Sequence, residues 1–425
     1  MTSTGISGPL GSPTTSQDVN RWPVCWMLTA NLLSNLGNQI TNLAIPWFVW
    51  LTTGSASQMG LVAAATLAPL VISTFVGGAL TDRMSHRQLA VTADILSGVT
   101  VAAIPALYFT TGLTIATLIA LVFLGAIFDG PGMNARQAMV PKLAERAGMS
   151  LERVNSGFGI GRSLMGLLGA PIAGGLIAVM GAAGSLWVTA ATFGISATIV
   201  RFMLPATTRP EPTGSTMLQD MREGFRLIFR SRLLRSVALT GTVLNMVLSP
   251  VFAIGLPIYI SNAGYDVGTL GLLMSSVAAG SLAGSLFYGW KGEALAPRPT
   301  VIAALTMLTL PLFGVATQPN LMVTWLLLFV IDFGAGIINP LLMSYLQRHT
   351  PEHMLGRTLG TLMSTSMLAT PLGMLIGGVL ISSQGFGAAI AIGGIAMALV
   401  SLMLAGNRTL SELSGPSSQL ADATS

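Results

Sequence analysis

Asn31, Asn35, Asn38 and Asn42 stand at i, i+4, i+7 and i+11. On an α-helix that spacing gathers four carboxamides into an arc of about 60°. Each carboxamide is neutral and both donates and accepts hydrogen bonds. Such a row offers a polar solute a track of partners, or offers neighbouring helices a ladder of amide bonds. Four charged residues stand inside long apolar runs: Asp94, Asp129, Arg162 and Asp332. Charges there are expensive and are functional candidates by default. Asp94, Asp129 and Arg162 fall at broadly similar depth. One reading is a structural ion pair between Arg162 and one of the two aspartates. The other is a proton-linked pair, in which protonating the carboxylate releases the arginine. Asp332 has no basic residue in the runs of its own half of the chain. It is either a neutral acid held by a structural hydrogen bond or a group that takes a proton or a cationic substrate, but hardly both at once. Asn245 and Asn339 extend the set of candidate substrate contacts, and Asp332 belongs to that set and to the proton-coupling set.

These side chains need elements that shelter them. Of 425 residues 52% are hydrophobic and 8% are charged, against roughly 25% charged in an ordinary soluble domain. The 20 basic and 15 acidic side chains are too few to cover a soluble protein of this length. A mean hydropathy of +0.73 excludes a disordered chain. The one cysteine, Cys25, excludes an internal disulfide. Apolar runs long enough to cross a hydrocarbon layer of about 30 Å recur at 24–50, 56–80, 88–109, 113–136, 154–180, 183–204, 236–261, 267–290, 299–317, 320–346, 358–383 and 386–406. Glycine and proline lie within many of them. Small residues let membrane helices approach, and neighbours satisfy freed backbone groups. The sequence thus predicts an all-α polytopic membrane protein with twelve transmembrane helices. Residues 1–22 and 407–425 read as polar cytoplasmic tails. The run after Arg21 reads as a span rather than a signal peptide, because no basic n-region precedes it.

Arginine and lysine set the direction. With a cytoplasmic N-terminus, Arg83, Arg87, Arg136, Lys142, Arg146 and Arg153 fall in or beside inner loops, as do Lys291, Arg298, Arg348, Arg357 and Arg408. The opposite turns at 51–55, 180–183 and 383–386 carry no charge. This positive-inside asymmetry places both termini inside. It also assigns the net charge of +5 to topology and anionic lipid rather than to nucleic acid. The chain repeats itself at an offset of 211. Pro46 matches Pro257, Gly60-Leu61 matches Gly271-Leu272, Gly78 matches Gly289, and Arg87 matches Arg298. Gly174-Gly175 resembles Gly377-Gly378 with small slips in register. The expectation is two pseudo-symmetric six-helix halves, 23–204 and 234–406, joined by 205–233. In that linker Met221, Phe225 and Ile228 oppose Arg222, Arg226 and Arg230, the pattern of an amphipathic helix on a membrane surface. Paired six-helix halves with a site between them are one transporter architecture.

The segment Gly78-Ala79-Leu80-Thr81-Asp82-Arg83-Met84-Ser85-His86-Arg87 resembles the loop signature of the major facilitator superfamily. It departs at Ser85, where glycine is usual, and at His86, where a basic residue is usual. Gly166, Gly169, Pro171, Gly174 and Gly175 look like the superfamily's antiporter motif, with Ala170 in place of its first glycine. Ala44 to Trp47, Thr53 to Ala56, Ala135 to Pro141, Ser150 to Asn155 and Gly356-Arg357 resemble the branch of macrolide-efflux, enterobactin-exporter and Tap-type multidrug proteins. The resemblance covers about residues 22–406. It implies the major facilitator fold, export, and cavity-lining first and tenth spans. It further implies that Asp82 caps the eleventh span near Arg357, with Arg136 at the end of the fourth span completing the network. Gly78, Asp82, Arg83, Arg87, Arg136 and Arg357 would then form a conformational gate. The plainer alternative is that they set only topology and loop solubility.

The expected function is proton-coupled antiport of amphipathic drug-like molecules by alternating access in a bacterial cytoplasmic membrane. The expected protein is a monomer without cofactor or metal, whose partners are its substrate, protons and lipid. Siderophore or metabolite export is the alternative within the same fold. A polytopic membrane enzyme is disfavoured. The sequence holds no His-Glu-x-x-His, P-loop or Gly-x-Ser-x-Gly motif, and no histidine lies in a span. His349 and His353 flank Thr350-Pro351 in a loop and do not read as a metal site. The 23 methionines are either membrane core or a deformable wall for varied substrates.

Overall fold

The computed structural model describes residues 20–81, 84–206, 232–349 and 352–406. Every regular element among them is a helix. In chain order these are α1 (Trp22–Thr53), α2 (Ala56–Thr81), α3 (His86–Thr110), α4 (Ile115–Arg146), α5 (Leu151–Met203), α6 (Arg232–Pro250), α7 (Leu256–Asn262), α8 (Val267–Lys291), α9 (Pro297–Ala316), α10 (Leu321–His349), α11 (Glu352–Gln384) and α12 (Phe386–Gly406). Among the described residues nine stretches are long and apolar enough to cross a membrane. One of them, Arg153–Met203, contains a break at Gly181, where φ is +74° and ψ 164°. Only glycine adopts that backbone readily, and the sequence expects a turn there. Pro250, which brings no backbone N–H, precedes five π-helical residues, Val251–Gly255, that lead into α7.

Helix ends follow local chemistry. Ser85 accepts from the Gln88 N–H while the Gln88 side chain accepts from the Ser85 N–H, a reciprocal capping box at the start of α3. Serine in place of the usual signature glycine therefore has a local use. Thr114, Ser150 and Asp266 cap α4, α5 and α8 more simply, each side-chain oxygen accepting from one N–H of the first turn. The fourth span departs from expectation: α4 runs ten residues past 136, to Arg146. Its last turns carry a buried apolar stripe of Ala135, Met139, Val140, Leu143 and Ala144, in one cluster with Met27, Leu89 and Val154. That packing keeps the segment helical through Pro141.

Helix α1 packs along α5, α3 packs on α4 and α5, and α2 packs on α4. Later in the chain α8 packs on α10, α6 on α11, and α9 on α10 and α12. Helices α2 with α11, and α5 with α8, join the two groups. We term the end where α1 begins basal and the end where it meets α2 distal. Both joining contacts are tight at the distal end. A Cβ on Gly60 would lie 2.4 Å from the Met374 carbonyl oxygen and 3.1 Å from Gly378 Cα. A Cβ on Gly174 would lie 2.8 Å from the Val267 carbonyl oxygen and 3.3 Å from Gly271 Cα. The glycines that match at the 211 offset, Gly60 and Gly271, thus make equivalent close crossings with Gly378 and Gly174. Toward the basal end α5 and α8 draw apart: at Gly166 the nearest such approach is 4.0 Å, to Ala278 Cβ.

Candidate functional site

Asp94 on α3 and Arg136 on α4 are both buried and form an ion pair of 2.6 Å between Oδ1 and Nη1. Asp94 Oδ2 accepts from Ser196 Oγ, in the part of α5 that follows the Gly181 break, at 2.7 Å. Arg136 Nη2 donates to Ser34 Oγ of α1 at 3.1 Å. The Arg136 Nε is buried without a hydrogen-bond partner. One turn along α3, Ser97 donates to Asp129 Oδ1 of α4 at 2.5 Å. Asp129 and Arg136, seven residues apart, share one face of α4. A polar chain from Ser34 through Arg136 and Asp94 to Ser196 therefore crosses the first group of helices, with the Ser97–Asp129 pair one turn away, and each ion has hydrogen-bonding support, as a buried charge requires.

This network borders a cavity of about 220 Å³ lined by Asn31, Asn35, Asn38, Asn42, Asp129 and Arg136, with Ser34, Thr66 and Met133 among the remaining wall. All four asparagines reach it. Asn35 Nδ2 donates to the Asn31 carbonyl of its own helix at 2.8 Å, and Asn245 makes the same i−4 bond to Gly241 at 2.9 Å. The side chains of Asn31, Asn38 and Asn42 make no hydrogen bond with the described residues. Among the described residues no amide of the row bonds to another helix, so the row does not form an interhelical ladder. The packing of α1 agrees. Ser34 meets α4, Leu28, Leu32 and Gln39 meet α5, and the asparagine row lies between those flanks. A second cavity of about 240 Å³ among α6, α11 and α12 is walled by Val243, Met246, Ile376, Leu380 and Ile392 and is apolar throughout.

Two expectations need correction. Arg162 is not the partner of Asp94 or Asp129; it is exposed on α5. Its stretch of α5 packs on α1, through Gly157 on Leu28, Gly161 on Leu32, and Gln39 on the Met165 carbonyl. That keeps Arg162 away from α3. Nor does Arg136 end a helix at the surface; it is the buried partner of Asp94. Asp332 does stand without a basic partner in α10, and its Oδ2 is buried with no hydrogen bond among the described residues. Asn339, seven residues on, is exposed on the same face.

Of the remaining gate residues, Arg87 Nη1 donates to the Leu204 carbonyl at 2.9 Å, tying the start of α3 to the end of α5. Gly78 falls in α2 and Arg357 in α11. Asp82 and Arg83 lie outside the described residues, as does the segment 217–230. Within the antiporter-like run, Gly169 faces Gln39, Gly174 faces α8, and a Cβ on Gly175 would meet nothing within 4 Å. Pro171 lies against Gly271, and Gly166 against Ala278. Sequence reading missed Ser34, Ser97 and Ser196. Ser97, one turn from Asp94, carried the only periodic signal.

A bundle of long apolar helices around a polar cavity with a buried ion pair is the arrangement of a multi-pass membrane transporter. Solved transporters share its fold. The nucleoside transporter NupG aligns with a TM-score of 0.72 over 93% of this chain and 100% of its own, at 13% identity. The D-xylose-proton symporter aligns at 0.69 over 90% and 96%, at 14% identity. The chain belongs to the transmembrane secretion effector family of the major facilitator superfamily, whose family model matches residues 15–419. It is 31% identical over 400 residues to the multidrug efflux pump Tap of Mycobacterium tuberculosis, covering 92% of this chain and 95% of that protein. It is 24% identical over 389 residues to the enterobactin exporter EntS of Citrobacter koseri, covering 88% and 89%.

Proposed function

We infer that the chain is a secondary active exporter that exchanges protons for amphipathic small molecules. The observation that carries this reading is the cavity in which the asparagine row, Asp129 and the Asp94–Arg136 pair meet. Neutral amides bind varied polar groups without fixing one charge. The buried acids supply a proton-dependent element: a proton taken up by Asp94 removes the ionic hold on Arg136, and one taken up by Asp129 removes the negative charge on the same face of α4. The arginine, which already has an open Nε, then favours a different helix arrangement. Asp332 is a second proton or cation acceptor in the other half. The relatives' names, a multidrug efflux pump and an enterobactin exporter, support export.

The reading extends to the whole chain: twelve crossings in two six-helix halves, with both termini and the linker on the cytoplasmic side of a bacterial inner membrane, in a monomer. The basal end is then cytoplasmic, and the arrangement closed at the distal glycines is inward-open. Asp82 and its neighbours latch the basal side in the opposite state. A panel of amphipathic drugs offered to purified protein in liposomes with an imposed pH gradient tests the function. Gradient-dependent uptake of at least one compound, with counter-movement of protons, is expected. Movement indifferent to the gradient removes the proton step. A siderophore or metabolite exporter is the second reading, favoured by the relation to EntS and separated by the same panel.

A further inference from the structure

Arg162 lies eleven residues into α5, roughly 16 Å along the axis at 1.5 Å per residue. It is exposed and makes no ion pair or hydrogen bond with the described residues. A bare guanidinium at that depth is tolerated only in water or against an anion. Its direction on the helix is fixed by its neighbours. Ile160, Leu164, Leu168 and Ile172 are exposed, apolar and spaced by four, the lipid face of α5. Arg162, two residues from both Ile160 and Leu164, points about 160° away from each of them. Arg162 instead begins the ridge on which Gly166, Ala170 and Gly174 face α8. At Gly174 the ridge presses on the α8 backbone, and at Gly166 the packing has loosened to an ordinary van der Waals approach of 4.0 Å to Ala278 Cβ. One turn further toward the basal end, Arg162 stands in the widening wedge between the two helix groups, on the flank of α5 that adjoins the asparagine row of α1.

We propose that Arg162 is an anion-recognition residue of the transport passage, and that the passage takes amphipathic molecules bearing a carboxylate or phosphate group. The guanidinium offers a planar fork of N–H donors to such a group, while Leu282 and Leu286, exposed on α8, offer apolar surface to the rest. The proposal rests on the exporter reading for its setting and names a substrate class for it. A free amphiphile and the headgroup of an anionic lipid share this chemistry.

The test uses the full chain in phosphatidylcholine nanodiscs and three fluorescent probes with one apolar body: pyrenebutyrate, pyrenebutanol and pyrenebutyl-trimethylammonium. Binding is corrected with protein-free discs. The wild type should hold the carboxylate about tenfold or more over the ammonium, the range of a charge-assisted contact. Arg162→Lys should keep most of that preference and Arg162→Gln should lose it. Independently of any variant, pyrenebutyrate should protect Arg162 of the wild type from phenylglyoxal modification, read by mass spectrometry, and the ammonium probe should not. Repeating the binding in discs containing phosphatidylglycerol separates the sources. If lipid headgroups occupy the site, pyrenebutyrate weakens in the wild type and not in Arg162→Gln; if they do not, it is unchanged. Equal affinity for all three probes, or an anion preference that survives Arg162→Gln, overturns the proposal. Failure of the exporter reading looks different: Arg162-dependent binding would persist without gradient-driven movement in liposomes.

Discussion

Asp94 and Arg136 show how much one buried pair can govern. Removing one partner leaves the other as an uncompensated buried charge, at a cost of about 3–5 kcal/mol. Arg136→Met should therefore lower thermal stability in detergent sharply, and Asp94→Asn with Arg136→Met together should lower it less than the sum; a cycle with no coupling would separate the two residues energetically. Asp129 is held by one neutral serine. Asp129→Asn should leave the melting temperature within a few degrees while abolishing the pH dependence of transport in liposomes. Asp332→Asn should likewise remove pH dependence or cation transport, and retention of both would assign Asp332 a structural role. Outside the membrane, Asp266 accepts from the backbone N–H and the hydroxyl of Thr269 at 2.9 Å each, which holds its carboxyl below the ordinary carboxylate range. Its contribution is complete above the ordinary value and is lost as the pH falls through the lowered one. Asp266→Asn, which keeps a capping oxygen, should flatten that acid-side loss in melting curves. At this scale the acids were legible because charge in an apolar run is conspicuous. The choice of Arg136 over Arg162 was not legible, since it depends on which helices touch. Ser34 and Ser196 are neutral and common, and nothing in their spacing set them apart.

Adjacent glycines in α5 separate packing from composition. Gly174 has no room for a Cβ, with the Val267 carbonyl at 2.8 Å, whereas Gly175 has open space. Gly174→Ala should be destabilising by about 1–3 kcal/mol through overpacking and should bias the distal crossing open. Gly175→Ala should be neutral or stabilising by up to about 1 kcal/mol through helix propensity. Cysteine accessibility at the distal ends of α5 and α8, with melting curves, reads both. Equal effects would mean that motif membership, not contact, sets the role of these glycines. Both residues read alike before the fold was known, because a motif does not say which glycine faces a neighbour. Helix boundaries were legible where caps are strong, as at Ser85, Ser150 and Asp266. They were not legible at the end of α4, where the stripe from Ala135 to Ala144 finds its partners on α1, α3 and α5.

Across the whole molecule, the repeat seen as scattered identities becomes geometry: Gly60 on Gly378 and Gly271 on Gly174 are two versions of one contact. The membrane character and the repeat were legible because lipid imposes run length on every helix and duplication preserves spacing. The state of the passage was not legible, because it is set by helix divergence that leaves no mark in composition. Distances between spin labels at both ends of the proposed passage report directly on alternating access. One pair is Leu61 on α2 with Val379 on α11, at the distal crossing; the other is Ile160 on α5 with Leu286 on α8, toward the basal end, all four being exposed. When a transported compound or a pH change shifts the population, the distal distance should lengthen while the basal distance shortens. Two distances that stay fixed, or that lengthen together, would contradict alternating access between these helix groups.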